Sequence, residues 1–272
     1  MITPNLFNTI LIIPFINILL ALYHLFLILK IPYAFGFAII GLTALIRLAL
    51  HPFFHQQFAM ARKMQAMKPE LDKLSQKHKG DKKRLQEEQM KLYKQMGVNP
   101  ASGCLFAIIQ IPIFIALYQV LSLFFLKGGV SKMVNEVNKI VYFSFLKVSS
   151  LDPMFFGINL GVSPQQFQKY GVYYLAIPVI TAILQYYQVQ TTTPAQPKPS
   201  APSPAQEKTA LLKKEEKKGD TDYAQKMMST QMKFIFPLMI GWFSYTLPVG
   251  LSLYWNIFSI FSIVHAKKKL DI

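Results

Sequence analysis

The stretch from Phe35 to Phe54 (FGFAIIGLTALIRLALHPFF) is almost entirely apolar. As a helix it is long enough to cross a hydrocarbon core of about 30 Å. Four further apolar segments follow: roughly Gly103–Leu126, Gly171–Gln188, Phe234–Tyr245 with its flanks, and Val249–Val264. Backbone in lipid has to satisfy its own hydrogen bonds, so segments of this kind are helices. Thr246-Leu247-Pro248 alone separates the last two, and Pro248 followed by Gly250 predicts a tight helical hairpin there. With 52% apolar and 14% aromatic residues and a mean hydropathy of +0.30, the composition agrees. The expectation is an all-α polytopic membrane protein with five core spans.

The formal net charge is +16, but the cations sit in blocks between the apolar segments. His55 to Pro100 carries eleven Lys and Arg, Val189 to Lys233 eight, and Lys127 to Tyr170 five; Lys267–Lys269 adds a basic tail. That pattern reads as membrane orientation rather than a DNA-binding surface, with the denser blocks and the C-terminus cytoplasmic. The first span then enters from outside. No cleavable signal is expected, because the apolar run from Met1 to Leu29 has no basic leader and no clear small-x-small site. Cys104, the single cysteine, cannot form an internal disulfide.

Arg47 is the one ionisable side chain deep in a spanning stretch, and the spans contain no Asp or Glu to neutralise it. An Arg near a helix centre costs about 2.5–3.5 kcal/mol on insertion scales and marks a candidate functional site. Placed slightly past mid-span, it is far from either end for snorkelling. The expectation is a hydrated cavity facing the protein interior, with a partner from outside the chain. Thr43, four residues earlier, shares its helical face. Gln110, Gln119, Gln185, Ser252, Asn256, Ser259 and Ser262 are the other neutral polar groups of the spans. Each taken alone is as well explained by hydrogen bonding between helices.

Leu6–Leu29 is long enough to span, but Pro14, Asn17 and His24 interrupt it. Asn17 and His24 are seven residues apart and share a face, which favours a helix in the outer interface with that polar stripe toward water. If the segment spans instead, the N-terminus is inside and there are six spans, with the rest of the topology unchanged. His55–Gly97 is a charged, helix-prone insert split by Gly80-Asp81. Met60, Met64, Met67, Leu71 and Leu74, then Leu85, Leu92 and Met96, predict the seam of an antiparallel coiled-coil hairpin. Thr191–Asp222 is dense in Pro, Ala, Ser and Lys without an aromatic residue through Thr221, and is expected to be disordered.

Catalytic constellations are missing from the sequence: no Walker loop, no His-Glu-x-x-His, no Gly-x-Ser-x-Gly. His51 and His55 have zinc-ligand spacing but no acidic or third ligand with them. Neither an enzyme nor a cofactor or metal is expected. Without carboxylates in the spans, a proton-coupled transporter and an aspartyl intramembrane protease are disfavoured.

Several pieces resemble the YidC/Oxa-type membrane protein insertases. They are LIRLALHPFF (Leu45–Phe54), the basic hairpin ending in GVNPASGCLFAIIQIPIFIALYQVL (Gly97–Leu121), FFGINL (Phe155–Leu160) and MMSTQMKFIFPLMIGWFSYTLPVGLSLYWNIFSIFSIV (Met227–Val264). The resemblance implies a five-span core around a groove open to cytoplasm and lipid but closed outside, with a cytoplasmic hairpin and an outer interfacial helix. It makes Arg47 the groove arginine, Gln110 a polar groove residue on the second span and Trp255 an aromatic groove residue on the last; Thr43 and Asn256 join them by position. Met60, Met64 and Met67 could receive an apolar substrate segment, since Met adapts to varied neighbours, although a plain coiled-coil core explains them at least as well. The chain looks like the minimal core type, without a large extracytoplasmic domain.

The implied domain limits are 1–34 for the interfacial helix, 35–54 for the first span, 55–100 for the hairpin and 101–126 for the second span. An extracytoplasmic segment (127–170), the third span (171–189), the Pro/Lys-rich loop (190–230), the fourth span (231–247) and the fifth span with its tail (248–272) complete the chain. Implied partners are nascent membrane proteins and the lipid bilayer, with the ribosome and a Sec translocon as further candidates, and the implied place is a bacterial cytoplasmic membrane. A small-solute channel or transporter with a polar groove, and a structural assembly scaffold, are the rival readings.

Overall fold

The computed structural model describes residues 5–78, 81–98, 102–125, 130–192 and 231–268. A π-turn, Asn8–Ile12, leads into α1 (Ile13–Ile28). Then come α2 (Ala34–Ala49), α3 (His51–Ala66), α4 (Lys68–Lys77), α5 (Lys82–Gln95), α6 (Ser102–Phe125) and α7 (Val130–Val137). After a two-stranded hairpin, β1 (Met154–Phe155) with β2 (Ile158–Asn159), the chain continues through α8 (Phe167–Tyr170), α9 (Ala176–Thr192), α10 (Phe236–Thr246) and α11 (Val249–Lys268). The expected all-helical membrane architecture is what the chain adopts. Among the described residues, Asn8–Ile28, Val172–Thr191 and Val249–Lys267 are each long and apolar enough to cross a membrane. The Thr191–Asp222 reading falls, after Thr192, outside the described residues, as does Gly80 of the predicted hairpin break.

The first span is not the continuous helix expected from Phe35 to Phe54. It breaks after Ala49, and α3 leaves at 67° to α2. Pro52 supplies the reason: it has no N–H to offer the Leu48 carbonyl and its ring crowds that group, so it is accommodated in the first turn of a new helix. Arg47 therefore stands in the last turn of α2 rather than near mid-span.

Beyond the bend, α3 to α5 form the predicted hairpin. Asp81 caps α5 by accepting the Arg84 N–H at 3.1 Å. Met67, Leu71 and Val98 are buried at its centre, with Met60, Met64, Leu92 and Tyr93 packed against them. Burial raises the Tyr93 phenol above its ordinary pKa. Met96 is 47% exposed and outside the seam. α5 stops at Gln95, Gly97 takes a left-handed φ of +60°, and the Val98 N–H returns to the Tyr93 carbonyl at 2.8 Å, so Val98 fills the place expected of Met96.

At the opposite end of the bundle, α1 lies against the first half of α2: Tyr23 meets Phe35 edge-on and Phe26 meets Phe37. Asn17 does not face water as expected. It is 4% exposed, donates to the Ile140 carbonyl at 3.2 Å and accepts the Tyr142 N–H at 2.6 Å. The segment after α7 folds back over α1 and spends both ends of this amide, a long-range pairing that helical spacing does not encode. His24 is half-buried, with Nε2 unpaired among the described residues.

That same end is closed by aromatic rings and by backbone. Phe35 packs on Phe124 and Phe125, Phe37 on Phe155, and Tyr33 on Phe156. Phe155 lies so close over Gly36 that a Cβ there would enter the ring. At the α10–α11 turn the Val249 N–H bonds the Val162 carbonyl at 3.0 Å and the Gly250 N–H bonds the Leu160 carbonyl at 2.8 Å.

Helix α9 packs along both α10 and α11, and α11 also packs on α2. Gly241 of α10 sits against Ala182 and the Pro178 carbonyl, a spacing that only a small residue permits. Between these helices runs a row of buried hydroxyls. Ser244 Oγ donates to Thr181 Oγ1 at 3.1 Å and is 2.7 Å from Ser252 Oγ, and Ser259 Oγ donates to Gln185 Oε1 at 3.4 Å.

Candidate functional site

At the hairpin end, the bend after α2 swings α3 across toward α11, so that Phe54 and Phe258 converge on Arg47. The guanidinium carbon lies 3.8 Å from the Phe54 ring centroid and 4.8 Å from that of Phe258. Part of the expected external partner is thus internal. The quadrupoles of two rings stabilise the cation where no carboxylate stands. Nη1 and Nη2 are buried and have no hydrogen-bond partner among the described residues. The site is therefore more enclosed than the open, hydrated cavity expected, yet its strongest donors are unspent.

Phe258 packs on Tyr254 one turn earlier in α11. Tyr254 Oη accepts a hydrogen bond from Gln110 Nε2 at 2.8 Å, linking α6 to the same wall. Trp255 meets Phe114, one turn along α6 from Gln110, with centroids 5.0 Å apart. Asn256 is half-buried, and its Oδ1 has no partner among the described residues. Arg47, Gln110 and Trp255 thus belong to one α2–α6–α11 face, joined through Phe258 and Tyr254. Thr43 is 2% exposed and donates to its own Ile39 carbonyl at 2.7 Å, so its hydroxyl is already satisfied. Met60, Met64 and Met67 form a separate cluster in the hairpin.

Among the other polar groups, Gln185, Ser252 and Ser259 do the interhelical bonding that was the plainer reading of each. Sequence reasoning missed Phe54, Phe258 and Tyr254. Pro52 was the available signal for Phe54, since a helix restart there redirects the residues after it. No spacing pointed to Phe258 or Tyr254, which meet Arg47 and Gln110 only through tertiary packing. His51 lies 6.2 Å from His55 and 5.5 Å from His265 by ring centroids, yet no metal-holding group of three exists among the described residues.

A cation under aromatic rings at one end of an apolar helical bundle, with aromatic packing closing the other, fits a polytopic membrane protein with a polar site toward one side. Residues 26–267 match the model of the 60Kd inner membrane protein family, and the chain belongs to that family, the YidC/Oxa type whose motifs it resembles. It is 33% identical over 248 residues to the inner membrane protein ALBINO3 of Arabidopsis thaliana chloroplasts, covering 88% of this chain and 47% of that one. It is 30% identical over 229 residues to the membrane protein insertase YidC of Streptomyces avermitilis, covering 82% of this chain and 48% of that protein. A YidC of Nitrobacter hamburgensis is 31% identical over 229 residues, 81% of this chain and 31% of its own. The chain spans about half the length of the first curated relatives it matches.

Proposed function

We propose that the chain is a membrane protein insertase that receives nascent membrane proteins at the Arg47 face and passes them into lipid without hydrolysing a nucleotide. The observation that carries this reading is the guanidinium held between Phe54 and Phe258 with Nη1 and Nη2 unspent. Two ring contacts hold the cation by about 0.5–2 kcal/mol each. An acidic substrate tail at 4 Å would gain about 4 kcal/mol at an effective dielectric near 20, before desolvation. A carboxylate can therefore displace the rings, and the rings can reclaim the arginine once the tail has moved on. Gln110, Trp255 and Asn256 line the path in this reading, and Thr43 stiffens α2 behind Arg47. The half-buried Met60 and Met64 make first contact with the apolar segment, while Met67, 1% exposed in the hairpin core, supports them from beneath rather than touching it.

The sealed end faces away from the cytoplasm and the hairpin end faces it, as the basic hairpin favours. α1 lies in the outer interface, and the membrane is a bacterial cytoplasmic one. The ribosome and a Sec translocon are candidate partners at the hairpin end. The test is reconstitution of the full chain in protein-free liposomes with a single-span substrate bearing an acidic tail. Protease protection of the tail is expected without any nucleotide. Protection no higher than in empty liposomes, or leakage of a small cation in place of tail transfer, would overturn the proposal.

A further inference from the structure

The segment that folds back over α1 ends in a tip no part of the site uses. Two asparagines shape it. Asn138 donates from Nδ2 to the Val148 carbonyl at 2.9 Å and accepts the Val148 N–H at 3.0 Å, closing the loop as a strand partner would. Asn17 pins the loop's own backbone at Ile140 and Tyr142 to α1. Val137, Leu146 and Val148 are buried beneath it. On this fastened base the tip projects Tyr142, Phe143 and Phe145, which are 58%, 60% and 70% exposed. The Phe143 and Phe145 rings stack in parallel, 5.5 Å between centroids and 16° between planes.

A loop held by both ends of two amides is not a slack connection that happens to carry aromatic residues. It presents them. The tip is flanked by Lys139 and Lys147, both exposed, and has no acidic residue between them. Further along from Asn17, α1 leaves Leu25, Leu27 and Ile28 exposed, and the exposed Leu29 and Lys30 follow its end. Aromatic rings with lysines around them suit the boundary of a bilayer: the rings enter the acyl margin and the ammonium groups stay with phosphate. We propose that the Tyr142–Lys147 tip is a membrane anchor that seats in the headgroup layer of the leaflet at the sealed end, its lysines taking anionic phospholipid. This requires membrane residence but not the insertase reading.

The test uses the full chain, with Cys104→Ser, carrying a single cysteine in place of Phe145 and labelled with an environment-sensitive fluorophore. Vesicles contain either phosphatidylcholine alone or phosphatidylcholine with about one third phosphatidylglycerol, as an order-of-magnitude composition. Asp152→Cys, exposed at the same end, is the aqueous control. Quenching by shallow brominated lipid at least threefold stronger at 145 than at 152, and stronger with phosphatidylglycerol, is the expected result. Lys139→Glu with Lys147→Glu should remove the phosphatidylglycerol dependence and leave substrate insertion unchanged. Equal quenching of both positions by aqueous iodide in either vesicle would overturn the anchor. Protection of 145 only in native membranes would also overturn it, by assigning the tip to a protein partner.

Discussion

Replacing Arg47 by Met should separate folding from function. The variant gives up the two ring contacts at 3.8 and 4.8 Å, together about 1–4 kcal/mol. It also escapes the cost of keeping a cation in an apolar helix, at most the mid-span value of about 2.5–3.5 kcal/mol, since Arg47 stands in the last turn of α2. These nearly cancel, so thermal unfolding in detergent should move little in either direction. Transfer of an acidic tail loses the carboxylate attraction, about 4 kcal/mol gross and roughly 2 after the ring contacts that a substrate must displace. At about 1.4 kcal/mol per factor of ten, that is a rate loss of roughly 30-fold. Neutral-tailed substrates should lose little, and Arg47→Lys should stay within a few-fold of wild type, because charge rather than bidentate geometry attracts. The assay is initial-rate protease protection in proteoliposomes with paired acidic and neutral tails, normalised to reconstituted protein. An equal loss on both tails, or none on either, would refute the reasoning.

Gly36→Ala should destabilise the sealed end by about 1–3 kcal/mol, since the new Cβ meets the Phe155 ring; a lowered unfolding midpoint that Phe155→Leu restores is the check. Ser244→Val should cost more than Ser252→Val, because Ser244 is the hydroxyl that touches both Thr181 and Ser252. At about 0.6 kcal/mol per interhelical bond, the difference is one bond's worth, measurable by detergent-induced unfolding of the two variants side by side.

The helical spans, the hairpin and the presence of an uncompensated Arg47 among apolar helices were legible because they depend on local quantities: length in lipid, hydropathy and charge. The helix break was legible too, in Pro52, but the apolar run overrode it when the stretch was read as one span. What could not be read was how polar groups are satisfied at long range. Asn17 is a loop fastener, seen only once the 140–142 backbone arrives over α1. The ring cage is likewise a product of α3 and α11 meeting, so a cation that looked unpaired in sequence has aromatic company in space. Met96 was lost to a single left-handed glycine, whose turn moved Val98 into the seam.

The fastening of the α10–α11 turn to residues 160–162 is made of main-chain N–H and carbonyl groups alone. Every amino acid except proline carries the same donor, so the side chain at 249 can change without undoing the latch, whereas at Gly250 a Cβ would stand 3.1 Å from the Phe125 ring and 3.4 Å from the Leu160 carbonyl. The latch also acts as a fixed pivot. A helix pinned at its first turn can be displaced only in proportion to the distance from the pin, and Phe258, which leans on Arg47, stands about midway along α11. Any lateral parting of α11 from α2 would then open like shears, nil at the pin, wider beside the cation and widest beyond it.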